Sequence, residues 1–257
     1  NLDELKQAVI DHQGKIALIS IMASNNEVGT LQDIAQVVKI AGQIPVHSDC
    51  VQSFGKVELS FKNLGLTAAT ISAHKVGGPL GVAALILKRG LDIEPILHGG
   101  GQERDIRSGT FNAPSIVSFA AAAKESVAQF QQRSEIIRKL KAELISTIKK
   151  GVPDIWVNGD QVKSLPGIIS ITFPKTDSEG LLLLLDSEGI ACSTGSACSA
   201  GVQRPSHVLL AMGLTEDETT STLRFSLNHS NTIVEIAKLG AVIASVVARS
   251  RAASGKK

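Results

Sequence analysis

Lys75 stands at the end of a short apolar run, Thr70-Ile71-Ser72-Ala73-His74-Lys75, and just ahead of Val76-Gly77-Gly78-Pro79. A lysine where a strand gives way to a glycine-rich turn has its backbone fixed, can be partly desolvated and can serve as a nucleophilic amine. Alone, Ser-x-His-Lys is a weak pattern that a surface lysine also satisfies. Here it follows His47-Ser48-Asp49-Cys50-Val51-Gln52 and precedes Gly99-Gly100-Gly101-Gln102-Glu103-Arg104 and Arg107-Ser108-Gly109-Thr110. Asp49 falls at a predicted strand end with Gln52 three residues on; an aspartate there also serves as a turn cap.

Two further residues have chemistry in reach. Cys198 lies in Ser193-Thr194-Gly195-Ser196-Ala197-Cys198-Ser199-Ala200-Gly201, a run of small residues that cannot pack a core and predicts a loop. Unreactive cysteines tend to be buried, so a loop thiol is a candidate nucleophile, with an adventitious thiol as the plain alternative. Arg224 interrupts the apolar run Leu223-Arg224-Phe225-Ser226. Burying a guanidinium is costly without an anion, and its planar fork suits a carboxylate, whether a substrate's or that of a structural ion pair. Cys50 and Cys192 read as core or strand-end thiols, and a Cys192–Cys198 metal pair lacks two further ligands. His47 reads as a hydrogen-bonded core histidine.

Short apolar runs alternate with helical patterns in the first half and must position these groups. Helix is predicted from Leu2 and over Gln32–Gly42, where Ile34, Val37, Val38 and Ala41 share a face. Strands are predicted over Lys15–Met22 (buried), Ile44–His47, Ala68–Ser72 and Val82–Leu87. Strands alternating with helices imply a mostly parallel sheet. Asn112–Lys150 reads as one long helical region, capped by Asn112 and Pro114 and closed by Gly151, with Ile137, Leu140, Leu144 and Ile148 on a buried face. Beyond it come strands Ile168–Phe173, Ile190–Cys192 and Thr222–Leu227, and helices Glu179–Glu188, Pro205–Met212 and Thr232–Arg249. The pattern divides the chain into an α/β domain over residues 1–128 and a smaller α+β domain over 129–257. Arg249–Lys257 reads as a solvated basic tail.

The chain has 257 residues, 43% of them hydrophobic, and a net charge of +2 with acids and bases interspersed. That is enough to bury a substantial core, and the charge pattern argues against a nucleic-acid footprint. No apolar run reaches the length that crosses a bilayer, which argues against a membrane partner. Three cysteines without disulfide spacing fit a reducing cytoplasm.

Together with Asn25-Asn26-Glu27-Val28-Gly29-Thr30 and Pro205-Ser206-His207-Val208-Leu209-Leu210, these segments resemble, in order along the whole chain, the NifS-like cysteine desulfurases. These are class V aminotransferases of the fold type I pyridoxal-phosphate enzymes. The resemblance implies pyridoxal 5'-phosphate as cofactor, L-cysteine as substrate, a homodimer, and a sulfur-acceptor or scaffold protein as partner. Iron–sulfur cluster or thio-cofactor biosynthesis would receive the sulfur. It assigns imine formation with the cofactor to Lys75, the ring nitrogen to Asp49, and the ring oxygen to Gln52. Phosphate donors would be Ser72 and His74, with Thr110 supplied across the dimer. The substrate carboxylate would be held by Asn26 and Arg224, and the persulfide would form on Cys198. His74 and Asn26 also count among the catalytic and cofactor-contacting positions of that family.

Family members carry a long segment before the position matching Asn1, with a threonine-containing phosphate loop and a histidine that stacks on the cofactor. The resemblance therefore implies a C-terminal fragment. Asn228 stands where the family usually has glycine, Leu80 where a polar residue is frequent, and Phe111 where an acidic or small residue is common. Cys50 and Cys192 replace small residues. A selenocysteine lyase would share every residue named. An inert fragment serving dimerisation or acceptor docking is the reading from a different class.

Overall fold

The computed structural model describes residues 1–195 and 205–255 and divides the chain into two compact units, Asn1–Ser24 with Gln32–Phe130, and Asn25–Leu31 with Gln131–Lys257. The first unit opens with helix α1 (Leu2–Asp11) and strand β1 (Ile19–Met22), followed by α2 (Ile34–Ala41), β2 (Val46–Asp49) and α3 (Phe61–Leu64). Strand β3 (Ala68–Ser72) runs into a single 3-10 turn, Ala73–Lys75, before β4 (Ala83–Leu87) and the long helix α4 (Ala113–Gly151). The sheet order is β1-β2-β3-β4, the first three strands parallel and β4 antiparallel to β3.

Helix α2 forms where apolar residues recur on one face; Ile34, Val37 and Ala41 are buried, and Asp33 caps the start by accepting from Gln36 N at 3.1 Å. They pack with Val46, Cys50, Leu66, Ala69, Ile71 and Phe119. The predicted strand over Lys15–Met22 is too long. Lys15 N bonds back to His12 O, closing the turn after α1, and pairing begins only at Ile19, whose N–H reaches Pro45 O. Nor is β1 buried: Ile19 and Ile21 are half-covered, while Ser20 and Met22 are exposed.

The second unit holds β5 (Trp156–Asn158), β6 (Ile168–Thr172), α5 (Ser178–Ser187), β7 (Ser193–Thr194), α6 (His207–Ala211), α7 (Glu216–Thr219), β8 (Thr222–Ser226) and α8 (Ile233–Ser254). Its sheet, β5-β6-β8-β7, is antiparallel throughout. Leu140, Leu144 and Ile148 from the second half of α4 pack with Leu181 and Leu185 of α5, Ile243 and Val247 of α8, and Phe173 beside Phe225. The two phenylalanine rings meet edge to face, 6.5 Å between centroids.

Two expectations fail here. The strand predicted over Ile190–Cys192 lies later, at Ser193–Thr194, because only there does β8 offer partners, Arg224 and Leu223. The predicted tail is helical through Ser254: Ser250 is buried, and Arg251 gives two bonds to the Asp154 carboxylate (2.8 and 2.7 Å) and one to Pro174 O. Asp177 caps α5 by accepting from Gly180 N at 2.8 Å. An Asp177→Ala substitution is expected to cost about 1 kcal/mol, read as a lower urea midpoint at unchanged slope. An unmoved midpoint would show that core burial alone starts this helix.

Candidate functional site

Parallel strands β2 and β3 end side by side, with Asp49 opposite Thr70 in the register, so the residues that follow both strands emerge at one carboxyl edge. That edge is where open α/β sheets present ligand-binding groups. Asp49 closes β2 with its carboxylate exposed; Oδ1 accepts from Val51 N at 2.9 Å and tightens the turn that carries Gln52. The turn-cap role is therefore met by one oxygen of this carboxylate. Ser72 closes β3, and its Oγ lies 2.8 Å from His74 Nδ1. Lys75 follows on the 3-10 turn, half-buried, while His74 is exposed.

His47, on β2, is half-buried between two hydroxyls, with Nδ1 2.8 Å from Ser20 Oγ and Nε2 2.8 Å from Thr70 Oγ1. It ties three strands together. Thr110 is exposed in the segment leading into α4, where Gly109 N donates to Gln102 Oε1 at 2.9 Å. The structure does not bring Thr110 to the Asp49–Lys75 edge through any of these bonds.

In the second unit, Arg224 sits on β8 between Ser170 of β6 and Ser193 of β7. Its neighbours Leu223 and Phe225 belong to the core, so strand alternation turns Arg224 to the opposite face. There Nη1 donates to Asn26 O at 3.0 Å. Arg224 Nε is buried with no hydrogen-bond partner among the described residues, which leaves room for an acceptor there. Asn26 reaches this place because residues 25–31 are sewn into the second unit. Asn25 Oδ1 accepts from Glu27 N and Val28 N, Leu165 N donates to Gly29 O, and Thr30 pairs with Ser164.

Three features escaped the sequence reading. Glu27 is buried and accepts from Ser206 Oγ at 2.6 Å. Lys56 lies close to Gln52 and Lys75. Lys141 is buried, giving bonds to Ser164 Oγ and Ile168 O, with burial holding its amine below the ordinary lysine range. Glu27 stands in the Asn25–Thr30 segment without an assigned role, Lys56 and Lys141 stand in no quoted segment, and only the folded chain supplies their neighbours.

Cys198 lies outside the described residues. The other two cysteines are held as thiols. Burial is the main influence on both, raising Cys50 above its ordinary value and pushing Cys192, with Asp186 nearby, up to about 12. Among the described residues no helix is long and apolar enough to cross a membrane.

As a donor set, the first unit's edge offers a carboxylate, an amide, a hydroxyl–imidazole pair and a primary amine within two adjacent strand ends. This fits a heteroaromatic phosphate ester carrying an aldehyde, the make-up of pyridoxal phosphate. A model of the aminotransferase class-V family matches residues 1–239. An IscS-like cysteine desulfurase of Mycobacterium tuberculosis is 42% identical over 253 residues, covering 97% of this chain and 64% of the relative. The cysteine desulfurase IscS of Methanosarcina thermophila is 38% identical over 251 residues, covering 97% and 61%. A solved NifS-like protein from Rickettsia africae superimposes with a TM-score of 0.88 at 37% identity, covering 96% of this chain and 66% of that one. The chain thus spans less than two thirds of the length of these relatives.

Proposed function

Because the chain belongs to the class-V aminotransferase family and has the fold type I architecture of the NifS-like proteins, we propose that it serves a pyridoxal-phosphate-dependent cysteine desulfurase. The observation that carries this reading is the placement of Asp49 and Lys75 at the ends of neighbouring parallel strands, on one edge. Bound pyridoxal phosphate supplies an electron sink for charge that develops on the substrate's α-carbon. Asp49 holds the proton on the ring nitrogen, and the Gln52 amide meets the ring oxygen. Ser72 and His74 hold the phosphate, with Thr110 contributed by the other copy in a homodimer.

Asn26 and the buried Arg224 donor receive the carboxylate of L-cysteine. Lys75 would tether the cofactor through its amine, and that amine would take the α-proton of the substrate. Cys198 thiolate then attacks the substrate sulfur, forming an S–S bond while the carbon–sulfur bond breaks with its electron pair left on carbon. That carbon is reprotonated, giving alanine, and Cys198 keeps one extra sulfur for an acceptor or scaffold protein. Cys50 and Cys192, both held as thiols, are poor candidates for that step. A reducing cytoplasm suits a chain that must keep such a thiol free.

Peptide mass spectrometry after anaerobic incubation with pyridoxal phosphate and L-cysteine tests the reading. One added sulfur on the Cys198 peptide and an equimolar yield of alanine are expected. Sulfur on Cys50 or Cys192 instead, or alanine without any bound sulfur, would remove Cys198 from the reaction.

A further inference from the structure

Gly55 brings the turn after β2 against α4. Its φ is +67°, in the left-handed region, and a Cβ there would run into Ser126, whose Oγ donates to Gly55 O at 2.9 Å. The next residue, Lys56, is therefore held in place by its backbone and is half-buried. Its Nζ donates to Gln52 Oε1 at 3.4 Å, and its charge lies close enough to that of Lys75 to be repelled by it.

We infer that Lys56 is a positioning residue of the cofactor site, one whose ammonium fixes the Gln52 amide with Oε1 inward and the N–H groups outward. The inference rests on the proposed role of Gln52 at the ring oxygen. An amide has one acceptor end and one donor end, and the two are nearly interchangeable in shape. A ring oxygen carrying negative charge needs the donor end. A cation gripping Oε1 excludes the flipped orientation, because flipping would set N–H against an ammonium that has only donors. Nothing in the Gln52 side chain itself makes that choice.

Burial, and after it the charge of Lys75, lowers the Lys56 amine to about 8. The grip is therefore strongest below that pH and weakens above it, where an ordinary lysine would remain charged. The elements packed around it carry other charged groups. On the Lys75 turn His74 is exposed; Asp49, ahead of Gln52, is exposed and engaged with Val51 N; on α4, Lys124 and Glu125 are exposed.

The test compares the wild-type chain with Lys56→Arg and Lys56→Met, measuring pyridoxal-phosphate affinity and the absorbance maximum of the bound cofactor from pH 6 to pH 10. Arginine stays charged over the whole range, whereas methionine never is. The wild type is expected to follow Lys56→Arg below about pH 8 and to approach Lys56→Met above it. Lys56→Met should bind about tenfold more weakly at low pH, the scale of one hydrogen bond to a charged group. Because Lys75 feels the charge at position 56, amine-labelling of Lys75 against pH in each chain separates its titration from that of Lys56. Should Lys56→Met misfold, Lys56→Gln takes its place, and amine-labelling of Lys56 in the wild type against pH reads the same midpoint without a variant. Superimposable profiles for all three chains, with binding intact, overturn the inference and leave the cofactor reading standing. A wild type that holds no cofactor at any pH overturns that reading, and the inference with it.

Discussion

Lys75→Ala is expected to leave a folded chain whose bound pyridoxal phosphate has lost the visible absorbance of a covalently held cofactor, and to lower turnover by roughly 10²- to 10⁴-fold. The size follows from the two tasks given to a single amine. In the proposed reaction it tethers the cofactor and moves the α-proton, a transfer worth that range by itself. The fold should tolerate the change, since Lys75 is half-buried on a 3-10 turn whose bonds, such as Val76 N to Ala73 O, are made by the backbone. Circular dichroism checks that point separately. Retained visible absorbance, or a turnover loss below tenfold, would locate the tether and the base elsewhere.

Arg224→Met should reduce kcat/KM for L-cysteine by about 10²-fold, chiefly through KM. Each hydrogen bond to a charged group contributes about 1.5–3 kcal/mol, and the loss here is of a fork proposed to meet the substrate carboxylate. Arg224 Nε is buried and unpartnered among the described residues, so an anion there would relieve the cost of burying that donor. Arg224→Lys should recover only part of the loss, because an ammonium supplies a point charge without the fork. Cysteine methyl ester, which lacks the negative charge, separates this role from a general disturbance: the variant should bind it nearly as well as the wild type does. Equal losses for the acid and the ester would mean that Arg224 acts only as a brace for Asn26 O, the bond it makes at 3.0 Å.

Much of this site was legible because strand ends are local events. The apolar run Ala68–Ser72 forms β3 without adjustment, and a lysine just beyond it must emerge at the sheet's edge. The helical reading over Asn112–Lys150 matches α4 closely because four apolar residues keep one face for its second half and Asn112 Oδ1 accepts from Ser115 N at the start. What failed depended on distant partners. Strand β1 starts only where β2 can pair with it, whereas the mostly parallel sheet that the alternation of elements implied is the one found, with β4 antiparallel at its edge. Arg251 orders the end of α8 through an aspartate 97 residues away, a pairing no local pattern announces. Lys56 was invisible for the same reason: its surroundings come from the meeting of Gly55 with Ser126. Nor does the wording around Asn25–Leu31 reveal that this segment packs with residues far down the chain.

That last arrangement bears on any attempt to take the protein apart. Since the chain passes from one body to the other at 24/25, at 31/32 and again at 130/131, no single scission yields two whole pieces. A polypeptide beginning at Gln131 would keep Arg224 yet lack the carbonyl it grips, and would bury neither Val28 nor Glu27. Supplying a synthetic peptide of residues 25–31 in trans should restore order to such a half, as a missing tile completes a floor.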